Sequence, residues 1–205
     1  DVAGIGQSTQ PIFIWQNCDA ATKCPQMPES LHPACRSVEE LLADCDEIRT
    51  RRGGPGGQHR NKVSTAVVLK HRPSGIVSEA SERRSQSLNR TVAIGRLRLR
   101  LATQIRSPTM AVSADASAPD DSTSDLWRRR RSATAIRVSA EHTDYPALVA
   151  EALDRLEEAH GSIPAAARRL GVSGSQFTRL FAKHPEAWMA LQSLRLRYGL
   201  PVIRQ

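Results

Sequence analysis

A glycine-rich segment holds the residues of this chain that are best suited to chemistry. Positions 53–57 read Gly-Gly-Pro-Gly-Gly and are followed at once by Gln58. Four glycines and a proline in five positions do not fit the interior of a helix or strand, so we predict an exposed loop. Glycine lets backbone approach a reacting group closely, and the Gln58 amide offers donors and an acceptor.

Loops of this composition commonly cradle phosphate, link domains, or insert as a tip into another molecule's site. A P-loop needs Lys followed by Ser or Thr after the glycines, and no such pair follows here. A dinucleotide-binding fingerprint needs a strand before the loop and a long helix after it, whereas residues 63–72 have the pattern of a strand. Neither nucleotide-binding interpretation fits, which leaves a loop that approaches a reacting group on another molecule.

The loop continues into a longer pattern. Residues 53–90 read GGPGGQHRNKVSTAVVLKHRPSGIVSEASERRSQSLNR. Over about residues 41–101 the chain resembles the peptidyl-tRNA hydrolase domain of class I peptide chain release factors. Four parts match in order: the GGQ motif, Asn61-Lys62, Pro73-Ser74-Gly75-Ile76, and Arg84-Ser85-Gln86 with Asn89.

The resemblance implies hydrolysis of the ester that joins a nascent peptide to tRNA in the ribosome. Gly56 and Gly57 would shape the backbone, and Gln58 would be catalytic, its N–H stabilising the oxyanion while its side chain orients water. His59 invites a general-base interpretation, but the family uses the neighbouring amide instead. The resemblance implies no metal or other cofactor. Its partners would be large-subunit rRNA, peptidyl-tRNA and a glutamine methyltransferase that modifies Gln58.

The charge of the chain favours a polyanionic partner. The net charge is +8 and the pI is near 10.0, and residues 49–106 hold 14 Lys and Arg against Glu79 and Glu82. We therefore expect nucleic acid, bound mainly through phosphate. The predicted RNA contacts are Arg51, Arg52, Arg60, Asn61, Lys62, Arg83, Arg84 and Arg90.

Departures from the family narrow the expected function. Gly53 replaces the usual serine, Arg60 replaces an apolar residue, and only 52 residues precede Gly53, fewer than a stop-codon-reading domain needs. The chain is therefore expected to resemble the short, codon-independent hydrolases that rescue stalled ribosomes. The alternative is a non-catalytic RNA- or DNA-binding regulator.

Local patterns predict the elements that carry the loop. Ser37-Val38-Glu39-Glu40 fits a capping box at the start of a helix, and a strand is expected over 46–51. Strands over 63–72 and 76–80, joined by a turn, form a hairpin. A helix follows Ser85, with one side predicted to pack on the sheet and the other, rich in arginine, to meet phosphate.

The remaining chain divides by composition. Residues 1–36 are expected to be poorly ordered, with Met27 as a natural start, and residues 107–135 to form a flexible linker that includes a basic run. The helical patterns within residues 136–205 predict a small helical domain. Its segment 165–180, with Gly171 at the turn, resembles a helix-turn-helix, although an ordinary helical bundle fits the same pattern.

These features predict an α+β fold: a small-sheet GGQ domain with a packed helix over 37–106, a linker, and a small all-α domain. No apolar run reaches the roughly 18 to 20 residues that a transmembrane helix needs, so we expect a cytoplasmic protein with no membrane partner. All four cysteines lie within the first 45 residues without a C-x-x-C pair. This spacing favours reduced thiols over a zinc site.

Overall fold

The computed structural model describes residues 32–50, 65–106 and 123–204, and these described residues belong to one compact unit. Within these ranges a small antiparallel sheet and a helix are followed by a group of helices, so the predicted α+β class is confirmed. No helix in the described ranges is long and apolar enough to cross a membrane. The predicted start at Met27 lies outside them.

Part of the predicted N-terminal extension is ordered. Of residues 1–36, the structure describes 32–36, which contain a 3₁₀ turn over Pro33–Cys35 with Ala34 fully buried. The carbonyl oxygen of Ala34 accepts two hydrogen bonds from the Arg98 guanidinium, at 2.9 and 3.2 Å. The prediction is wrong for residues 32–36 because a distant arginine and the core hold this turn.

Helix α1, Val38–Ala43, begins at the predicted capping box. The Glu40 N–H donates to the Ser37 hydroxyl at 3.2 Å, and the Ser37 N–H donates to the Glu40 carboxylate at 3.0 Å. Leu41 is the fully buried residue of this helix. Strand β1, Cys45–Thr50, follows after one residue, where the sequence predicts a strand.

The sheet of the described residues has the order β1-β2-β3 and is antiparallel throughout. Its central strand is β2, Ala66–His71, whose Val67 and Leu69 are fully buried. Strand β3, Val77–Ala80, forms one edge. The predicted β2–β3 hairpin is confirmed, and its turn contains Gly75 at φ +70°, a conformation that glycine adopts without strain.

Helix α2, Gln86–Gln104, begins at the predicted N-cap. The Ser85 hydroxyl accepts a hydrogen bond from the Leu88 N–H at 3.5 Å. Its fully buried residues include Ala93 and Leu97, and the helix packs across β2 and β3. The sheet and α2 form the part of the molecule that carries the predicted loop.

The end of the predicted linker is folded from residue 123 onward. Residues there form helix α3, Asp125–Arg130, and a two-stranded ribbon of β4, Arg131–Ser132, and β5, Ala135–Ile136. The linker prediction fails there because Trp127 is buried and its indole N–H donates to the carbonyl oxygen of Leu170 at 3.0 Å.

The C-terminal region is helical, as the sequence predicts. Its helices are α4, Tyr145–Glu158; α5, Ile163–Arg169; α6, Gly174–Ala182; and α7, Pro185–Arg197. Helices α5 and α6 are joined by a short turn in which Gly171 has φ +65°. The arrangement of α5, turn and α6 is therefore that of a helix-turn-helix-like pair.

The arginine-rich side of α2, which the sequence predicts to meet phosphate, is partly covered by other helices of the protein. Helix α2 packs against α4 and α7 as well as against the sheet. Just after the end of α2, the Arg106 guanidinium lies 3.1 Å from the carboxylate of Asp154 in α4. We call residues 37–106 the sheet part and residues 136–204 the helical part. They share contacts along α2, and their division into separate domains stays a prediction.

Candidate functional site

The predicted loop itself lies outside the described residues, which exclude 51–64. The predicted catalytic and RNA-contact residues that fall there are Gly56, Gly57, Gln58, Arg51, Arg52, Arg60, Asn61 and Lys62. The structure does describe both flanks. Thr50 pairs with Ala66 across β1 and β2, so the two chain ends that lead to the loop leave the sheet side by side.

A buried asparagine joins one of these flanks to helix α2. Asn89 is fully buried in the first turns of α2, and its Nδ2 donates to the carbonyl oxygens of Thr65 at 2.7 Å and Arg83 at 2.8 Å. Its Oδ1 accepts the N–H of Arg83 at 2.8 Å. Because both donors and the acceptor are used, this side chain fixes the start of β2 relative to the segment before α2.

Two of the predicted RNA contacts lie beside this asparagine. Arg83 and Arg84 are exposed, and neither side chain has an ion pair within the ranges that the structure describes. The backbone of Arg83 is the one that Asn89 holds on both its N–H and its carbonyl. Both guanidinium groups are therefore outside any ion pair in the described part of the chain, and their contact with RNA stays a prediction.

The third described RNA-contact residue, Arg90, has a partner inside the protein. Its Nε donates to the Glu47 carboxylate at 2.8 Å, and Arg49 donates to the same carboxylate at 3.1 Å. The hydrogen bond from Arg90, followed by that from Arg49, lowers the pKa of Glu47, although burial opposes the shift. Glu47 therefore stays ionised and links β1 to α2. An RNA contact by Arg90 stays a prediction.

The other arginines of α2 also have intramolecular partners. Arg96 pairs with Glu82 at 2.7 Å, and Arg98 donates to three backbone carbonyls, one of them Thr143 in the segment before α4. Burial is the main cause that lowers the pKa of Arg98 and of Arg106. Arg96 and Arg98 are therefore engaged within the protein, and Arg98 joins the sheet part to the segment before α4, so a phosphate contact by either stays a prediction.

The described residues offer no metal site and no activated thiol. Within residues 32–50, 65–106 and 123–204, no group of three or more His, Cys, Asp or Glu side chains could hold a metal ion. Cys35 and Cys45 are free, and burial raises the pKa of Cys35 to about 11 and raises that of Cys45 as well. Both thiols are protonated near neutral pH and are poor nucleophiles.

The sequence motif around Asn89 indicates the family resemblance but not which groups the Asn89 side chain contacts. The signal was available in part, because asparagine is a poor helix former and its presence early in a helix often marks a local hydrogen-bonding role. The Glu47–Arg90 pair left no comparable signal. The two residues are 43 positions apart and lie on elements whose packing no local pattern reveals.

Comparison with known proteins agrees with the motifs of the sheet part. The sequence profile of the RF-1 domain matches residues 40–143. The chain is 48% identical over 77 residues to the chloroplastic peptide chain release factor PrfB1 of Arabidopsis thaliana, which covers 38% of this chain and 16% of that protein.

Two bacterial relatives match over a similar length. Peptide chain release factor 1 of Caldicellulosiruptor saccharolyticus is 46% identical over 71 residues, covering 34% of this chain and 20% of the relative. Peptide chain release factor 2 of an Acidovorax species (strain JS42) is 43% identical over 74 residues, covering 35% and 20%. The chain thus spans a fifth or less of the length of these curated relatives.

Proposed function

This chain belongs to the family of proteins that contain the RF-1 domain, and on that premise we propose that it hydrolyses the ester of peptidyl-tRNA on the ribosome. The observation that supports the proposal is the way in which the two ends of the loop are attached to the sheet and to α2. Paired strand ends at Thr50 and Ala66 flank the GGQ segment, and Asn89 fixes the residue that follows it, Thr65. The segment with the GGQ sequence is therefore attached to a rigid support.

The proposed reaction relies on backbone and amide groups. Gly56 and Gly57 allow the chain to approach the ester closely, and Gln58 orients a water molecule with its side chain. The water oxygen attacks the carbonyl carbon, and the Gln58 N–H stabilises the negative charge that develops on the carbonyl oxygen. The bond to the tRNA ribose then breaks, the ribose oxygen gains a proton, and the peptide leaves with a free carboxylate.

Cations and polar groups around the loop position it against RNA. The proposed contacts are Arg51, Arg52, Arg60, Asn61, Lys62, Arg83, Arg84 and Arg90. Of the described residues among them, Arg83 and Arg84 have no ion pair within the described part of the chain, while Arg90 uses its Nε for Glu47. Contacts to phosphate fix orientation without reading sequence.

We extend the proposal to release that does not depend on a stop codon, as in the rescue of stalled ribosomes. Its support is the type of contact that the described residues offer. Exposed arginines such as Arg83 and Arg84 are suited to contacts with phosphate, which is the same for every codon. We place this activity in the cytoplasm. A glutamine methyltransferase is the proposed partner that modifies Gln58.

The test is release of labelled peptide from purified ribosome complexes that carry a stop codon, a sense codon or a truncated mRNA in the decoding site. We expect comparable release from the sense-codon or truncated complex and from the stop-codon complex. Gln58→Ala should lower the maximal rate by about 100-fold or more, since an oxyanion-stabilising position of this kind is worth that much.

His59→Ala is the matched control, because it changes the adjacent side chain of the same loop. The maximal release rate of His59→Ala should stay within a few-fold of the rate of the protein without substitutions. Full release by the Gln58→Ala variant would remove Gln58 from the mechanism. Strict dependence on a stop codon would refute the extension to ribosome rescue while leaving the hydrolase proposal in place.

A further inference from the structure

Two segments of the C-terminal half contain no acidic residue. Residues 126–140 read LWRRRRSATAIRVSA, and residues 161–185 read GSIPAAARRLGVSGSQFTRLFAKHP. Together they hold eight arginines and one lysine. Each segment alone resembles an ordinary solvated basic stretch, so their meaning depends on whether the fold brings them together.

The structure packs these two segments against each other. The N–H of Ser173 donates to the carbonyl oxygen of Thr134 at 3.0 Å, so the ribbon of β4 and β5 meets the N-terminus of α6. At the other end of α6, the Lys183 ammonium donates to the carbonyl oxygen of Val138. The guanidinium of Arg131 lies so close to Gly171 that a Cβ atom at that position would be 1.8 Å from it.

The cations of these segments fall into two groups. Three arginines have acidic partners: Arg128 with Asp125 at 2.5 Å, Arg130 with Asp144 at 2.6 Å, and Arg169 with Glu158 at 3.1 Å. Five others are exposed and have no ion pair within the described ranges. These five, which we call the ribbon–turn face, are Arg129, Arg131, Arg137, Arg168 and Arg179.

Two like charges, Lys183 and Arg179, lie close together in the second of these segments. Burial is the main cause that lowers the pKa of Lys183, and the neighbouring positive charge of Arg179 lowers it further. A group of unpaired cations repels itself and disfavours the compact state unless a polyanion neutralises it. The many arginines that are paired elsewhere in this chain show that the fold can supply partners, as it does for Arg106 and Asp154.

We propose that the ribbon–turn face binds the phosphate backbone of double-helical RNA, and this inference rests on the proposed function at the ribosome. Single-stranded nucleic acid is normally held by exposed aromatic side chains on which bases stack. The aromatic residues of the two segments are Trp127, Phe177 and Phe181, and all three are buried. A face of arginines without exposed rings fits a phosphate backbone rather than splayed bases.

Other polyanions fit this face less well. A membrane surface would be expected to meet exposed apolar side chains beside the cations. The exposed large hydrophobic residues of the helical part, such as Met189, Leu196 and Val202, lie on α7 and after it rather than on the two segments. Duplex DNA offers the same charge, so RNA is favoured because the face is in the same compact unit as the RF-1 match.

The experiment compares two triple variants of the full chain. Arg137→Gln, Arg168→Gln and Arg179→Gln together remove three charges from the face. Lys70→Gln, Arg197→Gln and Arg204→Gln together remove three from exposed positions outside it. Affinity for isolated large ribosomal subunits and for a short RNA duplex is measured over a range of salt concentrations, with a DNA duplex of equal length as competitor.

We expect the face variant to bind both RNA targets about tenfold more weakly or worse at physiological salt. The slope of log K against log salt should fall by about 2 to 3, as the loss of three phosphate contacts predicts. In the control variant, the affinity and the salt dependence should change by much less. A third variant, in which the same three face arginines become lysine, should retain binding. Phosphate contacts of this kind need the positive charge rather than the two-pronged hydrogen bonding of a guanidinium group.

Equal weakening by the face and control variants would overturn the proposal, and so would tighter binding of the DNA duplex than of the RNA duplex. Peptide release separates this inference from the function on which it rests. The face variant should reach the maximal release rate at saturating protein. Release that survives in Gln58→Ala would refute the proposed mechanism, whereas the duplex measurements would still decide what the ribbon–turn face binds.

Discussion

The side-chain amide of Asn89 donates a 2.7 Å hydrogen bond to the backbone carbonyl of Thr65, although 24 residues separate them. Thr65 is the first described residue after the predicted GGQ loop and directly precedes β2. A side chain in the first turns of α2 therefore helps to set the path by which the chain returns from the loop to the sheet. Since positional catalysis tolerates little displacement, we predict that Asn89 acts as a positioning residue for the proposed reaction.

Replacing Asn89 by alanine should affect stability and release together. The change leaves the N–H and carbonyl of Arg83 and the carbonyl of Thr65 without their present partner. We expect the free energy of unfolding to fall by about 2 to 3 kcal/mol, because the three hydrogen bonds made by the buried Asn89 side chain are lost. The maximal rate of peptide release should fall at temperatures where the variant is still folded. Urea unfolding and the release assay measure the two effects.

Leu88→Ala is the control for this prediction. Leu88 is the neighbouring residue in the same helix, and its side chain is 55% exposed. Its truncation should cost well under the amount lost in Asn89→Ala and should leave release unchanged. If Asn89→Ala folds with full stability and releases peptide at the normal rate, the hydrogen bonds at the loop base have no positioning role.

Local sequence signals predicted the elements that depend on local physics. The capping box at Ser37, the N-cap at Ser85 and the turn at Gly171 each follow from residues a few positions apart, and the structure confirms all three. The helices of the C-terminal region follow from hydrophobic periodicity in the same way. These elements position the candidate site, so much of its framework is predictable from the sequence.

What the sequence did not reveal depends on contacts between distant segments. The arginine-rich stretch from Arg90 to Arg106 resembles a phosphate-binding face. However, Arg98 in α2 and Arg106 just after it bind carbonyls and a carboxylate of the surrounding structure. The stretch after residue 123 has the composition of a linker apart from Trp127, whose burial against the α5–α6 turn orders it. Composition reports how many charges a segment has, and only the fold determines which of them find partners.

The stability of the fold should decrease as the pH falls below neutral, in part through His32. This side chain is 7% exposed, and its Nε2 lies 3.2 Å from the carbonyl oxygen of Ile105. Burial is the main cause that lowers the pKa of His32 from 6.5 to about 4 in the folded state. Between these values the unfolded chain binds a proton that the folded chain does not, so stability falls as pH drops through this window.

The loss attributable to His32 should approach about 3 kcal/mol at pH 4, the cost of a shift of this size. His32→Gln removes the titrating group, so its unfolding free energy should depend less on pH between 6.5 and 4 than that of the unmodified protein. His160→Asn, which removes an exposed histidine at φ +49° where asparagine is tolerated, is the control variant. Parallel pH profiles for His32→Gln and the unmodified chain would contradict this assignment.

Gly171 and Gly199 have nearly the same backbone conformation but different surroundings. Substituting alanine at each of them therefore distinguishes the effect of backbone strain from the effect of a clash with a side chain of the ribbon–turn face. Gly171 has φ +65° and Gly199 has φ +69°. A Cβ at Gly199 would meet nothing within 4 Å, whereas one at Gly171 would lie 1.8 Å from Nη1 of Arg131. Alanine at either position should cost about 1 kcal/mol or more through the left-handed conformation.

Only at Gly171 should alanine also displace the Arg131 guanidinium. We therefore expect Gly171→Ala to lower the melting temperature at least as much as Gly199→Ala, and to weaken binding of duplex RNA while Gly199→Ala does not. Both are measurable by thermal unfolding and by titration with the duplex. If the two variants bind RNA equally well, the position of Arg131 over the α5–α6 turn does not matter for recognition, and the other arginines of the face must account for the affinity.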